Sequence, residues 1–488
     1  MSTVQVEEQQ LLIGGLWVDA EGGATFEKSD PYTGDPVTRA AAATPADAAR
    51  AVGAAAVAFP NWSQTPPARR RELLSAAADL LMERSKDIAL TMTEECGATF
   101  GWGMFNCDLA SRMLREAAAQ AYLPGGSVIP SDVPGVSAMG VRQPVGVVVG
   151  IAPWNAPVIL GTRAVATPLA YGNTVVLKAS EECPRTHAAV AAAINDAGVP
   201  AGVINLITNA PADAPSVVEE LIAHPAVRRI NFTGSTRVGR IIAEKAAKSL
   251  KRTLLELSGK APMVVLADAD LDEAANAASF GAFMNSGQIC MSTERVVVDA
   301  SVADEFGRKL AERASALPVG DPRDEGTAIG PVINSGALQR ITELLEDAKA
   351  KGARVLAGGE VDGPCVQPTV LADVTPDMRI YSEESFGPVV ALVQVNGPDE
   401  AVRVANDTEY GLAAAVFSRD VGAAVSVARR IESGICHINS STVHDEPQMP
   451  FGGVKGSGWG RFGGQAALEE FTELRWMSIQ SGERHYPI

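Results

Sequence analysis

Between residues 145 and 257, short apolar runs alternate with helix-forming stretches, and this constrains the fold more than any other feature. The runs 145–151, 174–178, 203–207 and 253–257 are dominated by Val, Ile and Leu, and 229–232 adds Ile230 and Phe232. Near-continuous apolarity, rather than alternation, is expected of strands buried on both faces. The segments from 157 to about 170, then 183–197, 214–223 and 236–249, read as helices between them. Strand–helix alternation predicts a mostly parallel sheet with helices on both faces, the α/β class. Ligands of such sheets collect beyond the carboxyl ends of the strands. Four polar or glycine-bearing motifs fall there: 153–157, 178–181, 232–239 and 256–260.

The remaining segments fit around this sheet. Residues 11–19 read as a short hairpin broken by Gly14-Gly15. Thr44 and Pro45 are the N-cap and first turn of a long helix, and Pro66-Pro67 opens another. Leu73, Ala77, Leu80, Arg84 and Ile88 give that helix one apolar stripe. Gly97, Gly101 and Gly103 around Trp102 suggest a helix start or break beside a cavity. The Pro/Gly-rich stretch 124–134 leaves the first unit as an arm. After Pro262 a second α/β unit runs to about Leu474, with strands expected at 296–298, 354–356, 389–393, 414–417 and 435–438. Residues 473–480 alternate like an edge strand and need a cover, supplied by the arm or by another subunit.

Composition excludes some partners. Net charge is −17 (41 basic against 58 acidic residues), which disfavours nucleic acid and anionic membrane surfaces, since phosphate recognition needs a basic face. No apolar run approaches the ~18 residues of a membrane helix. The six cysteines include no Cys-x-x-Cys pair and no close histidine at zinc spacing, so no metal site is expected. Sparse cysteines and an acidic N-terminus without a signal-like pattern fit the cytoplasm.

The chemistry concentrates at the sheet rim and at one thiol. Cys290 sits in a small polar run, 285–295, between an Ala-rich helical segment and an apolar strand, where a substrate can reach it; a lone cysteine is otherwise usually a buried spectator. Phe232-Thr-Gly234-Ser235-Thr-Arg-Val-Gly239 is a strand, a glycine turn and a helix start, a place that suits a phosphate. Lys178 and Glu181 add a cation and a carboxylate suited to ribose hydroxyls. Glu256, in apolar surroundings, is either ion-paired or a base of raised pKa. Asn155, between Pro153 and Pro157, is an amide donor on a stiff loop. Nucleophile, base, oxyanion donor and nucleotide rim together describe an active site.

Seven motifs in order carry a resemblance over essentially the whole chain: Pro153-Trp-Asn-Ala-Pro157, Lys178-Ala-Ser-Glu181, Phe232-Thr-Gly-Ser-Thr236, Leu255-Glu-Leu-Ser-Gly-Lys260, Gly287-Gln-Ile-Cys290, Glu383-Glu-Ser-Phe-Gly-Pro388 and Pro450-Phe-Gly-Gly-Val-Lys455. The chain resembles the NAD(P)-dependent aldehyde dehydrogenase superfamily. The resemblance implies a Rossmann-type cofactor domain (1–121 and 143–253), an α/β catalytic domain (254–471), and a small β arm (122–142 and 472–488) that joins subunits into a homodimer or homotetramer. It implies that Cys290 attacks the aldehyde, Asn155 holds the oxyanion, and Glu256 activates water to release the acid. Trp154 and Ser235 would face the pyrophosphate and adenosine side, with Gly234, Gly239 and Leu257 in the same cofactor surface. Lys178, Glu181 and Glu384 would hold the riboses, and Phe386 the nicotinamide ribose. Glu181 beside the 2′ position favours NAD; Lys178 keeps NADP compatible. One departure is Ser258, where the family usually has glycine, close to the nicotinamide path.

The runs Trp154-Asn-Ala-Pro-Val-Ile-Leu-Gly161, Cys290-Met-Ser-Thr-Glu-Arg295 and Thr442-Val-His-Asp-Glu446 resemble those of bacterial vanillin and salicylaldehyde dehydrogenases, which implies an aromatic aldehyde, vanillin first, then salicylaldehyde or benzaldehyde. Ala156 stands where many members carry a bulky aromatic. Arg163 is expected to meet a phenol oxygen or stack on a ring, or else to be an ordinary ion-paired arginine, and Trp102 and Phe451 to wall the ring. The competing readings are an aliphatic or semialdehyde dehydrogenase and a cofactor-independent thiol esterase.

Overall fold

The computed structural model describes residues 6–488. An eight-stranded sheet carries the alternation read from the sequence. Its order is Gly458–Trp459, Arg252–Glu256, Val227–Thr233, Val147–Ile151, Thr174–Lys178, Ile204–Ile207, Leu11–Ile13 and Leu16–Val18. The five inner strands run parallel. The hairpin 11–19 forms, and it extends this sheet antiparallel at one edge. Successive strands move outward from Val147–Ile151 on one side, then the chain returns to lay Val227–Thr233 on the other. That reversal opens a crevice at the carboxyl ends of these two strands. The motifs 153–157 and 232–239 begin there.

The strand Arg252–Glu256 belongs wholly to this sheet, pairing Thr233 with Glu256. A domain boundary at 253/254 therefore cuts a strand. Gly458–Trp459, from late in the chain, pairs antiparallel with the same strand.

A seven-stranded sheet forms the second layer system, in the order Arg354–Ala357, Thr369–Ala372, Val389–Val395, Thr293–Asp299, Ala261–Val265, Ala413–Phe417 and Ile435–Ile438. The five expected strands are all present. Ala261–Val265, near the middle, was not expected, because Pro262 reads as a boundary. The register shifts between Ala261 and Pro262, and such an irregularity accommodates a residue without a backbone N–H. Thr369–Ala372 was likewise unmarked in the sequence.

The terminal strand Thr472–Gln480 pairs along its whole length with Val136–Pro144, and Gly126–Ile129 adds a third strand. The arm thus covers one edge of the terminal strand, as its alternation required. Trp476, Leu474 and Ile479 stay exposed on this sheet.

Helix starts follow the capping signals. Thr44 accepts from the Asp47 N–H in a capping box with Pro45 in the first turn. One expectation fails: the stripe 73–88 is not one helix. Pro67–Glu83 ends and Ser85–Cys96 begins across Arg84, whose backbone leaves helical geometry. Gly97 caps the second helix in the left-handed region, and Phe100–Gln120 starts anew with Thr99 accepting from the Trp102 N–H. The glycine cluster there marks a break beside a cavity, as read.

Candidate active site

Cys290 is placed by backbone that few sequences can adopt. Asn285, Ser286 and Gly287 all lie in the left-handed region, at φ 51°, 55° and 70°. At Gly287 a Cβ would fall 2.0 Å from the Gly387 carbonyl oxygen, so only glycine fits. Ser286 Oγ donates to the Gly330 carbonyl at 3.0 Å. On the other side Gly259 presses against the turn, where a Cβ would lie 2.3 Å from the Cys290 carbonyl oxygen. Ile289 and Met291 are buried on either side of the half-buried Cys290.

The same run braces Asn155. Its Nδ2 donates to the Gln288 carbonyl at 3.0 Å, and its own carbonyl accepts from Asn285 Nδ2 at 2.9 Å and from Trp102 Nε1 at 3.2 Å. Thiol and amide are thus held by one network.

Glu256 ends the strand Arg252–Glu256 and is fully buried. Burial pushes its carboxyl up to about 7, against the Cys290 thiol, the Arg163 charge and the Thr233 hydroxyl, which favour the anion. Neither carboxylate oxygen makes a hydrogen bond of normal geometry among the described residues. Burial and then the Glu256 charge push the Cys290 thiol well above its ordinary range, and Arg163 acts the other way. Both shifts favour a protonated Cys290 thiol beside a carboxyl able to accept its proton.

Two chambers meet here. A cavity of about 730 Å³ is walled by Trp102, Ala156, Leu160, Phe280 and Phe451, with Arg163 and Asp445 in its lining. A smaller one, about 220 Å³, is lined by Trp154, Gly234, Ser235, Glu256, Leu257, Ser258, Glu384 and Phe386. Cys290 and Asn155 line both. Trp154 sits edge-on to Phe386, ring centroids 5.7 Å apart. It lines the chamber of Glu256 and Cys290 together with Gly234 and Ser235.

Beyond the small chamber, Ser235 caps the helix Thr236–Lys248, accepting from the Val238 N–H, and Gly239 packs directly against Leu257. Lys178 and Glu181 form an ion pair, and Asn209 Nδ2 donates to Glu181 at 2.9 Å. Burial opposes the Glu181 charge, but Lys178 outweighs it and holds the carboxyl below its usual range. Glu384 accepts from the Gly259 N–H at 2.9 Å, and burial pushes it up to about 7; the Ser258 side chain bonds it in the other direction.

Sequence reasoning missed two carboxylates. Glu294 pairs with buried Lys260 at 2.7 Å and accepts from the Ser385 and Phe386 N–H groups, so it fixes the loop carrying Glu384 and Phe386. Its place inside an apolar strand was the available signal. Asp445 is the ion-pair partner of Arg163, and the two side chains are only 10% and 7% exposed. The Arg163 guanidinium also lies 4.1 Å from the Phe451 ring centroid. Of the two readings for Arg163, it is ion-paired and also lines the large cavity.

Comparison with known proteins agrees with this geometry. The model of the aldehyde dehydrogenase family matches residues 17–477. A vanillin dehydrogenase of Pseudomonas sp. strain HR199 is 58% identical, over 98% of this chain and 99% of that protein. The crystal structure of a salicylaldehyde dehydrogenase from Pseudomonas putida G7, complexed with salicylaldehyde, superposes with a TM-score of 0.97 at 45% identity, covering 99% of this chain and all (100%) of that one. The NAD(+)-dependent benzaldehyde dehydrogenase of Pseudomonas putida is 40% identical over 99% of this chain and 100% of its own length. A thiol and an amide shared by two chambers, with a buried carboxyl in the smaller one, thus stand in a chain that the family model matches over nearly its whole length, and the protein belongs to the aldehyde dehydrogenase family.

Proposed function

We propose that this dehydrogenase oxidises aromatic aldehydes to carboxylic acids with NAD, vanillin first, then salicylaldehyde and benzaldehyde. The observation that carries the reading is the pair of chambers sharing Cys290 and Asn155, the larger one walled by aromatic and aliphatic side chains. A flat ring in that cavity brings its aldehyde carbon to the thiol. The Cys290 sulfur attacks the carbonyl as its proton passes to Glu256. Asn155 Nδ2 and the Cys290 N–H hold the oxyanion, and losing one such donor costs roughly 3–4 kcal/mol. The commitment of Asn155 to the Gln288 carbonyl fixes its amide plane for this task. A nicotinamide ring bound in the smaller chamber supplies the acceptor for the aldehyde hydrogen. Glu256 releases the thiol proton to solvent, then takes a proton from the water that hydrolyses the thioester, and the Cys290 thiolate leaves and is reprotonated.

The residues around the smaller chamber fit a dinucleotide by their donor set. Glu181 and Glu384 are acceptors for ribose hydroxyls, and the helix N-terminus at Ser235 offers free N–H groups to a pyrophosphate. The Glu181 carboxylate repels a 2′-phosphate, which favours NAD over NADP. Self-association into a homodimer or homotetramer through the exposed arm, and residence in the reducing cytoplasm that a working thiol needs, complete the proposal.

The test is a panel of aromatic and aliphatic aldehydes, each with NAD and NADP. The expected result is the highest kcat/KM for substituted benzaldehydes with NAD. A preference for short aliphatic aldehydes or for semialdehydes would overturn it.

A further inference from the structure

The large cavity holds an ion pair that the reaction steps above do not use. Arg163 and Asp445 bridge through Asp445 Oδ2, and both side chains are at least nine-tenths buried. Asp445 Oδ1 is buried and has no hydrogen-bond partner among the described residues. A buried charged oxygen without a donor is costly, and it persists here in the wall of the cavity that opens on Cys290.

The chemistry of this corner limits what it can receive. The Arg163 charge is already balanced by Asp445, and one face of its guanidinium lies over Phe451. A carboxylate on the substrate would therefore find no free cation, and Asp445 would repel it. An unsubstituted ring would leave Oδ1 unpaired. A ring that carries a hydroxyl supplies the missing donor, and Arg163, fixed by Asp445 and Phe451, can donate to the same hydroxyl oxygen.

We propose that Asp445 is a specificity-determining residue whose Oδ1 accepts a hydrogen bond from a ring hydroxyl of the aldehyde, selecting hydroxylated benzaldehydes over rings that lack a free hydroxyl. This rests on the aromatic reading above and adds the substituent that the cavity recognises. The contact is outside the bond-making atoms, so Asp445 sets which substrate is preferred and takes no proton in the reaction.

Asp445→Asn inverts the corner. Arg163 demands an acceptor, so the amide oxygen turns to it and the NH₂ takes the place of Oδ1. The readout is the ratio of kcat/KM for the hydroxybenzaldehyde isomer that the wild type prefers to that for benzaldehyde. A hydrogen bond to a charged group is worth about 1.5–3 kcal/mol, so the ratio is expected to fall roughly 10- to 150-fold. An unchanged ratio overturns the role of Asp445 while leaving aromatic oxidation standing. If the wild type oxidises neither benzaldehyde nor its hydroxy derivatives, the aromatic reading falls and takes this one with it. Wild-type enzyme gives a second measurement that needs no variant: the hydroxybenzaldehyde must be preferred over its O-methyl ether, which keeps the ring and the oxygen but lacks the donor. Equal kcat/KM for the two overturns the proposal.

Discussion

Glu256 and Cys290 are a buried carboxyl and a half-buried thiol, each shifted toward its neutral form. Burial pushes the carboxyl from an ordinary 4.5 to about 7, and it pushes the thiol well upward too. The base is ionised only above about pH 7, so kcat/KM is expected to rise with pH through that value. Glu256→Gln should remove this rising limb and slow both the attack of the thiol and thioester hydrolysis, so that kcat/KM and kcat fall together; retention of the limb would assign it elsewhere. The same shift has a stability consequence with a definite sign. A carboxyl whose pKa is raised on folding keeps its proton longer in the native state. Stability is therefore greatest below about pH 4.5 as far as this group is concerned, and it is lost as pH rises to about 7. Glu384, also pushed to about 7, acts in the same window. Each shift corresponds to about 3 kcal/mol. Thermal unfolding of Glu256→Gln should show a shallower loss of Tm between pH 5 and 8 than the wild type.

Elements were more legible in the sequence than their junctions. The strand 174–178 and the helix 214–223 fall where periodicity and turn residues put them, because each is bounded by glycine, proline or a capping residue. Arg84 was read through because the apolar spacing continues across it; nothing in the spacing reports that the backbone breaks there. Pro262 misled in the opposite sense, since a register shift let a proline into a central strand. At the site, Cys290, Asn155 and Glu256 were legible from motif and rim position. Asp445 and Glu294 were not, because each acts through a partner distant in sequence, Arg163 and Lys260 respectively. Glu294 shows how an element transmits its order. It joins the strand Thr293–Asp299 to the loop of Glu384 and Phe386, and burial already lowers the pKa of its partner Lys260. Glu294→Gln leaves Lys260 charged and poorly paired. It should destabilise the protein by about 3–5 kcal/mol and raise KM for the dinucleotide more than for the aldehyde. Equal effects on the two would mean that the loop does not depend on this contact.

Across the whole molecule, the three-stranded arm is the least finished surface. Trp476 is 79% exposed, and Leu474, two residues before it on the same strand and so on the same face, stands open beside it. Apolar side chains presented together on a sheet mark an interaction site. If copies of the chain meet there, Trp476→Glu should shift the mass measured by light scattering toward the monomer; an unchanged mass would move the interface elsewhere.

The pairing of Thr472–Gln480 with Val136–Pro144, and of Gly458–Trp459 with Arg252–Glu256, also sets the order of events during synthesis. Both edges wait for chain that is made much later. The inner strands of the first sheet can assemble early, but one flank of that sheet and of the arm stays open until those later strands emerge. Contacts between residues so far apart in sequence form slowly, and unpaired edges are where nascent chains stick to one another. A ribosome stalled before residue 458 would therefore display a half-closed, adhesive intermediate, and the strands Gly458–Trp459 and Thr472–Gln480 act as the closure that ends its vulnerability.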